Sequence, residues 1–154
     1  MLEQDFEQSV GYWAHMMARS FERALNEELA PHGITLRQCQ VLGWLALDSE
    51  LTQSQLADRL RIEPPTLVRI LDRMEEAGWI ARHSDPEDRR KKLIRATRRV
   101  KPVWERILEC IHRVRARALE DIAEEDVQIA RRVLVQMHGN LRTLTLATDG
   151  EQGA

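Results

Sequence analysis

Residues that form turns, aromatic cores and disulfide frameworks are scarce in this chain. Its 154 residues include only 7 Gly, 5 Pro, 2 Phe, 1 Tyr and 2 Cys. So few turn-forming and β-favouring residues argue against an all-β fold. The two cysteines, Cys39 and Cys110, match no CxxC or metal-ligand spacing, which argues against a disulfide scaffold and fits a reducing compartment.

Long apolar runs and a basic leader are also missing. No stretch approaches the roughly 20 apolar residues that a membrane span needs, and LEQDFEQ near the N-terminus is acidic, unlike a signal peptide. The five histidines show no paired metal spacing, and the sequence holds no recognisable Ser-His-Asp set, Gly-rich phosphate loop or catalytic carboxylate pair. We therefore expect a soluble cytoplasmic protein that is not an enzyme, makes no membrane contact and holds neither a cofactor nor a structural metal.

Charged residues are plentiful, at 31% of the chain, and they are distributed unevenly. The formal net charge is −2, yet residues 52–101 carry thirteen basic and eight acidic side chains, while both ends of the chain are acidic. Seven of the eleven residues from Arg89 to Arg99 are Arg or Lys. A positive centre between negative ends favours a local anion-binding face, although a long helical chain can also carry uneven charge by chance.

Apolar residues that recur at spacings of three and four predict a mainly helical fold. The first four helices are expected at roughly residues 5–30, 36–47, 53–60 and 64–77. Thr35 and Thr52 each precede a glutamine by three residues, which is the form of a capping box at a helix start. Because the third helix is expected to end at Leu60 and the fourth to begin at Pro64, only three residues, 61–63, join them.

A short hairpin is predicted after the fourth helix. Residues 79–83 and 91–96 each have strand character, and the turn-forming residues between them fold one strand back on the other. Thr97 is the expected cap of a fifth helix, whose apolar stripe continues to Ile122 and is followed by a sixth helix. Helix, tight turn, helix and hairpin is the order of a winged helix-turn-helix, so we expect a mainly α fold with a small β-wing.

The fourth helix is the candidate DNA-reading element, because the second helix of such a motif enters the major groove. The face opposite its apolar stripe presents Pro65, Thr66, Arg69, Asp72 and Arg73. Arg69 lies one turn in, where its guanidinium can bond both acceptors of a guanine. The alternative is that Arg69 pairs with Asp72, three residues further along the helix.

The basic run fits the tip and returning arm of the hairpin better than a disordered tail, because apolar residues alternate with its bases. Arg89 and Arg90 at the tip suit the narrow minor groove, whose negative potential attracts arginine. Lys91 and Lys92 suit phosphates. Asp88 is an acid among bases, and it can orient a neighbouring arginine by a charge-assisted hydrogen bond.

The stretch TQSQLADRLRIEPPTLVRILDRMEEAGWIARHSDPEDRRKKLIRAT resembles the core of the MarR family of bacterial regulators, and its wing resembles the SlyA-type branch. The resemblance implies a homodimer on a palindromic operator, with a helical dimerisation region at 1–33 and 98–147, a DNA-binding lobe at 34–97 and a flexible tail at 148–154. It also implies that Arg90 enters the minor groove and that Asp88 organises it. Ala96 departs from the family, which usually has a larger apolar residue there.

The resemblance further implies a small aromatic or phenolic effector bound between the dimer helices and the DNA-binding lobes. The residues of this chain that fit such a crevice are Trp13, His15, Arg19, Phe21, Cys39 and Trp44. The aromatic members of this set fit equally well as core residues, and Arg19 fits as an exposed one. Some relatives sense peroxide through a cysteine in the first helix, which has none here; Cys39 is the better redox candidate, with inert buried thiols as the alternative for both cysteines.

Two classes of function remain in contention. A protein-interaction module that kept the winged fold but lost DNA binding is expected to have lost its exposed bases. All of them are present here, at Arg69, Arg89, Arg90, Lys91 and Lys92. The sequence therefore favours a sequence-specific transcriptional regulator, and a repressor in most settings.

Overall fold

A computed structural model describes residues 8–86, 88 and 91–151 of the chain, with side chains described as far as residue 142. The helices are α1 (Val10–Leu29), α2 (Leu36–Asp48), α3 (Gln53–Leu60), α4 (Pro64–Glu76), α5 (Lys101–Ala118) and α6 (Glu124–Glu151). The strands are β1 (Glu50–Thr52), β2 (Ile80–Ser84) and β3 (Lys92–Ala96). The fold is thus mainly α with a small antiparallel sheet, as the sequence predicts.

Short polar side chains begin three of the helices. Thr35 and Thr52 both form complete capping boxes, each hydroxyl accepting from the backbone N–H three residues on, at 3.2 Å. Both boxes are confirmed where the sequence places them. Ser9 caps α1 through the N–H of Tyr12, so α1 begins at Val10, later than the predicted start at residue 5; residues 1–7 lie outside the described part of the chain.

The turn between α3 and α4 sets the helix-turn-helix. Arg61 ends α3 in the left-handed conformation, with φ of 50°, and its backbone N–H donates to Asp58 O. Pro64 is the first residue of α4, where the missing N–H costs nothing. Leu67, Leu71 and Met74 of α4 are all fully buried, so the opposite face of this helix is the one that meets solvent.

The sheet has three strands rather than the two of the predicted hairpin. β3 is central, with β2 on one side and β1 on the other. Leu51 of β1 lies opposite Ile94, and Ile94 lies opposite Arg82 of β2. Prediction missed β1 because it is three residues long and runs directly into the capping box of α3, which leaves no alternating pattern to detect.

One core joins the helices and the sheet of the first compact unit, residues 1–114. Its fully buried members include Leu29, Leu56, Ile80, Ile94 and Ile107. Thr97 caps a 3-10 turn at Arg98–Val100, and α5 follows directly, with Ile107, Cys110 and Val114 buried.

The end of α5 corrects one expectation. The predicted apolar stripe continued through Leu119 to Ile122, but α5 ends at Ala118. The chain then turns through Asp121 in the left-handed conformation, with φ of 58°. Leu119 and Ile122 therefore belong to this turn and not to the helix.

The second compact unit, residues 115–154, holds the long helix α6. The acidic first turn of α6, at Glu124, Glu125 and Asp126, suits the positive end of the helix dipole. The helix continues to Glu151, past the boundary expected at residue 147, and the flexibility of a tail at 148–154 stays a prediction. None of the helices in the described part of the chain has the length and apolar character of a membrane span.

Candidate nucleic-acid interface

The solvent face of α4 carries two guanidinium groups that are available to a ligand. Pro65, Thr66, Arg69 and Arg73 are all exposed, as predicted from the burial of the opposite stripe. Within the part of the chain that the structure describes, neither Arg69 nor Arg73 makes a side-chain hydrogen bond or an ion pair. Both can therefore bond bases or phosphates without first breaking a contact in the protein.

The acidic residues of α4 are held by an arginine from the sheet. One terminal nitrogen of Arg82, on β2, lies 2.6 Å from Oδ1 of Asp72, and the other lies 2.5 Å from Oε2 of Glu75. The backbone N–H of Arg82 also donates to Oε1 of Glu75, at 3.0 Å. Asp72 is thus paired with Arg82 and not with Arg69, which answers the alternative that the sequence left open.

The contacts in this cluster favour the charged forms of Glu75 and Arg82. The side-chain hydrogen bond from Arg82 lowers the pKa of Glu75 against the opposing effect of burial. Burial disfavours the charge of Arg82, but its hydrogen bonds to Glu75 and Asp72 outweigh that effect and raise its pKa. The sequence analysis missed Arg82 because its partners are ten and seven residues away, beyond the spacings that a helix pattern reveals.

The wing is closed by backbone hydrogen bonds near its tip. The N–H of Asp85 donates to Lys91 O, at 3.1 Å, and the N–H of Lys91 donates to Asp88 O, at 2.8 Å. Lys91 and Lys92 are exposed, and Nζ of Lys92 donates to Oγ of Ser84. Arg89 and Arg90 lie outside the described residues, so their contacts and the organising role of Asp88 stay predictions.

The two wing lysines lie beside the start of α3. A polar cavity of about 240 Å³ is lined by Thr52, Gln53, Ser54, Lys91 and Lys92. The pairing of β1 with β3 brings these segments together, with Thr52 opposite Leu93. Two ammonium groups beside a helix N-terminus favour an anion. Sequence reasoning gave residues 52–54 only a capping role, because the pairing that brings them to the wing was not predicted.

The predicted effector residues differ in burial, and the site that they were predicted to share stays a prediction. Trp13, His15 and Arg19 are exposed on α1, and Phe21 packs against the core. Cys39 is buried, with 5% of its surface exposed.

Trp44 stands apart from the other five predicted effector residues. It is half-buried, its ring is covered by the Arg59 guanidinium at 4.9 Å, and it lines a cleft between α2 and α3. None of the other five residues lines that cleft.

A different cavity, of about 370 Å³, lies between α2, the end of β3 and the start of α5. It is lined by Leu42, Leu45, Ala46, Ala96, Thr97, Arg98, Val100, Lys101 and Trp104. The lining is mostly apolar, with two cationic side chains, Arg98 and Lys101. The signal in the sequence was Ala96, since a small residue where a larger apolar one is usual leaves space.

The thiols are buried, as the second of the two alternatives predicts. Burial, with a smaller effect of the neighbouring Cys110, raises the pKa of Cys39 to about 11. Cys110 is fully buried, its sulfur donates to Glu28 O at 3.5 Å, and the sulfur accepts from Arg113 at 3.3 Å. Neither site is the exposed, electropositive environment that a reactive thiolate needs.

Known proteins similar to this chain include transcriptional regulators and MarR structures. The model of the MarR family matches residues 32–91. An uncharacterized HTH-type transcriptional regulator of Bacillus subtilis (strain 168), YwoH, is 33% identical over 109 residues, which are 71% of this chain and 79% of YwoH. Among solved structures, a mutant of MarR from E. coli complexed with operator DNA matches with a TM-score of 0.71 at 25% identity, over 88% of this chain and 99% of that one. CouR from Rhodococcus jostii RHA1, bound to p-coumaroyl-CoA, matches with a TM-score of 0.70 at 26% identity, over 88% and 95%.

The burial of both thiols predicts slow alkylation of the folded protein. With a pKa of about 11, only about one Cys39 in a thousand is a thiolate at pH 8, and the sulfur is also shielded. We expect iodoacetamide at pH 8 to leave both cysteines unmodified over an hour in buffer and to modify both within minutes in 6 M guanidinium chloride, as measured by intact mass. The Cys110→Ala variant isolates Cys39, and rapid labelling of that variant while it is folded would contradict the assignment.

Proposed function

This chain belongs to the MarR family of transcriptional regulators, and we propose that it is a homodimeric repressor that binds an inverted-repeat operator and leaves it on binding a small aromatic ligand. The observation that carries the proposal is the solvent face of α4, where Arg69 and Arg73 have no partner among the described residues. A DNA-binding regulator needs such donors on its recognition helix. A module that had lost DNA binding does not need them.

Reading of the operator rests on α4 in the major groove. Arg69 bonds the two acceptors of a guanine, and Thr66, near the start of the helix, bonds a base edge or a phosphate. Arg73 contacts the phosphate backbone. The wing lysines, Lys91 and Lys92, grip the backbone beside the start of α3, while Arg90, oriented by Asp88, enters the minor groove.

The proposed dimer is supported by apolar side chains that one chain leaves exposed to water. On α1, Val10, Trp13 and Met17 are each about half exposed. On α6, Ile129, Val133, Leu134 and Leu141 are exposed at the spacings of one helix face. Stripes of this length are stable in water when a second subunit covers them. Two such lobes meet successive major grooves, roughly 34 Å apart, on an inverted repeat.

The effector is best accommodated by the cavity between α2, β3 and α5. Its volume of about 370 Å³ lies within the range of small-molecule sites. Its apolar walls suit an aromatic ring, and Arg98 and Lys101 suit a carboxylate. The structural neighbour CouR is bound to p-coumaroyl-CoA, which makes an aromatic ligand a reasonable first choice here.

Substitution of the base-reading arginine tests the DNA-binding part of the proposal. We expect Arg69→Ala to lose about 10- to 100-fold in affinity for the operator and little for scrambled DNA, because one bidentate base contact is worth about 1–3 kcal/mol. Fluorescence anisotropy with the region upstream of the protein's own gene is the measurement. Arg23→Ala, an equal loss of charge at an exposed site on α1, is the control. Equal losses of affinity for operator and scrambled DNA would mean that Arg69 contacts the DNA phosphate backbone instead of a base.

The exposed stripe of α6 predicts where the dimer breaks. Leu134→Asp places a carboxylate in the proposed shared core, where an unpaired charge is costly. We expect sedimentation velocity at 10 µM to show a monomer for Leu134→Asp and a dimer for wild type. Gln136→Asp, which adds the same charge to an exposed polar position of α6, should remain dimeric. A dimeric Leu134→Asp would contradict the assignment of this stripe.

A larger side chain in the proposed effector cavity should weaken the ability of the ligand to release the protein from its operator. Ala96→Leu places three more carbons among the cavity walls, so we expect benzoate or 4-hydroxycinnamate to lose at least tenfold in its ability to release the operator. Operator affinity without ligand should stay within about threefold of wild type. Ala30→Leu, at an exposed alanine outside the cavity, is the matched control. If Ala96→Leu responds to these acids like wild type, the effector binds elsewhere.

A further inference from the structure

The recognition helix is, by its own side chains, acidic. Between Pro64 and Glu76 it carries two bases, Arg69 and Arg73, against three acids, Asp72, Glu75 and Glu76. Double-stranded DNA carries one negative charge per roughly 1.7 Å of its axis. An acidic helix inserted into the major groove therefore needs its carboxylates neutralised or turned away from the phosphates.

Arg82 pairs with two of these three acids at once. Asp72 and Glu75 are three residues apart and so project from one side of α4. The planar guanidinium of Arg82 spans both carboxylates, at 2.6 and 2.5 Å, which a lysine ammonium cannot do with the same geometry. The side chain of Arg82 is 19% exposed, whereas the side chains of Asp72 and Glu75 are 51% and 40% exposed. The guanidinium is thus shielded from solvent, and the carboxylates it holds remain partly in water.

The same contact keeps the base-reading arginine free. Asp72 lies three residues after Arg69, a spacing at which helical ion pairs form readily. In the structure Asp72 points instead to Arg82. If Arg82 were absent, Asp72 would have Arg69 as its nearest helical cation, and that pair would have to break before Arg69 could reach a base.

We propose that Arg82 is a positioning residue for DNA recognition: it pairs with Asp72 and Glu75 and thereby leaves Arg69 unpaired. This inference rests on the proposed function. Arg82 acts through α4 and makes no contact with DNA itself. Its role is electrostatic, so the effect of removing it is reversed when the two carboxylates are removed as well.

Three variants separate this role from simple stabilisation. We expect Arg82→Gln to bind the operator at least tenfold more weakly than wild type at 100 mM salt. Asp72→Asn with Glu75→Gln, which keeps Arg82, should bind at least as tightly as wild type. The triple variant, which combines all three changes, should return to within about threefold of wild type although it still lacks every Arg82 ion pair.

The stability of each variant is followed by thermal unfolding, so that only folded protein is compared. Arg113→Gln is the control, because it removes an arginine–glutamate pair between two other helices, Arg113 with Glu28 at 2.7 Å. A purely structural role for Arg82 predicts that the triple variant binds as weakly as Arg82→Gln, and that result would overturn the proposal. Operator binding by Arg82→Gln equal to that of wild type would overturn it as well.

The salt dependence of binding tests whether Arg82 makes a direct phosphate contact. Each phosphate contact contributes about −0.9 to the slope of log affinity against log salt. The triple variant should keep the wild-type slope to within about 0.3. A slope shallower by about 0.9 would mean that Arg82 itself contacts a phosphate, which would overturn the positioning role.

A measurement without DNA keeps this inference separate from the proposed function. In Arg82→Gln, pairing with Asp72 should slow the exchange of the Arg69 side-chain Nε–H with water at least threefold in NMR spectra, and Asp72→Asn should reverse that change. Unchanged exchange would overturn the role of Arg82. A wild-type protein that binds operator and scrambled DNA alike would overturn the proposed function, while the exchange result still decides whether Arg82 keeps Arg69 unpaired.

Discussion

The burial of one side of α4 is the constraint on which the rest of the DNA-binding lobe depends. Leu67, Leu71 and Met74 are each fully buried, and a helix with three such anchors on one face has a single allowed rotation about its axis. That rotation sends Arg69 and Arg73 to solvent and turns Asp72 and Glu75 towards β2. The division of α4 into a reading face and an acidic side is thus a consequence of core packing, and the pairing with Arg82 completes it.

The sheet brings together residues that are distant in the sequence. β3 is the central strand, so it fixes β2, and with it Arg82, against α4 on one side. On its other side it fixes β1, which delivers the start of α3 to the wing lysines. Ile94, fully buried in the middle of β3, anchors both pairings. The central strand β3 therefore positions both β2, which contacts α4 through Arg82, and β1, which leads to the start of α3 beside the wing lysines.

Local chemistry was predictable from the sequence, and long-range pairing was not. The capping boxes at Thr35 and Thr52 and the short turn before Pro64 depend on residues within four positions of one another, and the structure has them where they were expected. Arg82 and β1 were missed because their partners are distant in sequence. Their contacts exist only once the core has set the orientation of α4 and β3.

The effector site predicted from Trp13, His15, Arg19, Phe21, Cys39 and Trp44 stays a prediction, because it was placed between the dimer helices and the DNA-binding lobes. These residues were chosen by residue type on α1 and α2, since aromatic rings and a cation suit an aromatic acid. The cavity between α2, β3 and α5 is defined by where β3 meets α5, a junction that no local pattern specifies. The sequence shows that Ala96 is smaller than the residue usual in the family at that position. That this leaves a cavity is clear only from the structure, where Leu42 and Trp104 line the same space.

Thr97 connects the proposed effector cavity between α2, β3 and α5 to the segment that follows α4. Its N–H donates to Trp79 O at 2.9 Å and its hydroxyl donates to Gly78 O at 2.5 Å, while the hydroxyl accepts from the N–H of Arg99. One residue thus joins the segment that follows α4, the end of β3 and the turn that leads into α5. Thr97 also lines the cavity, so a ligand bound there contacts this joint directly. Coupling between two sites requires a contact that differs between two states, and the three hydrogen bonds of Thr97 join the lining of the proposed effector cavity to the segment that follows α4.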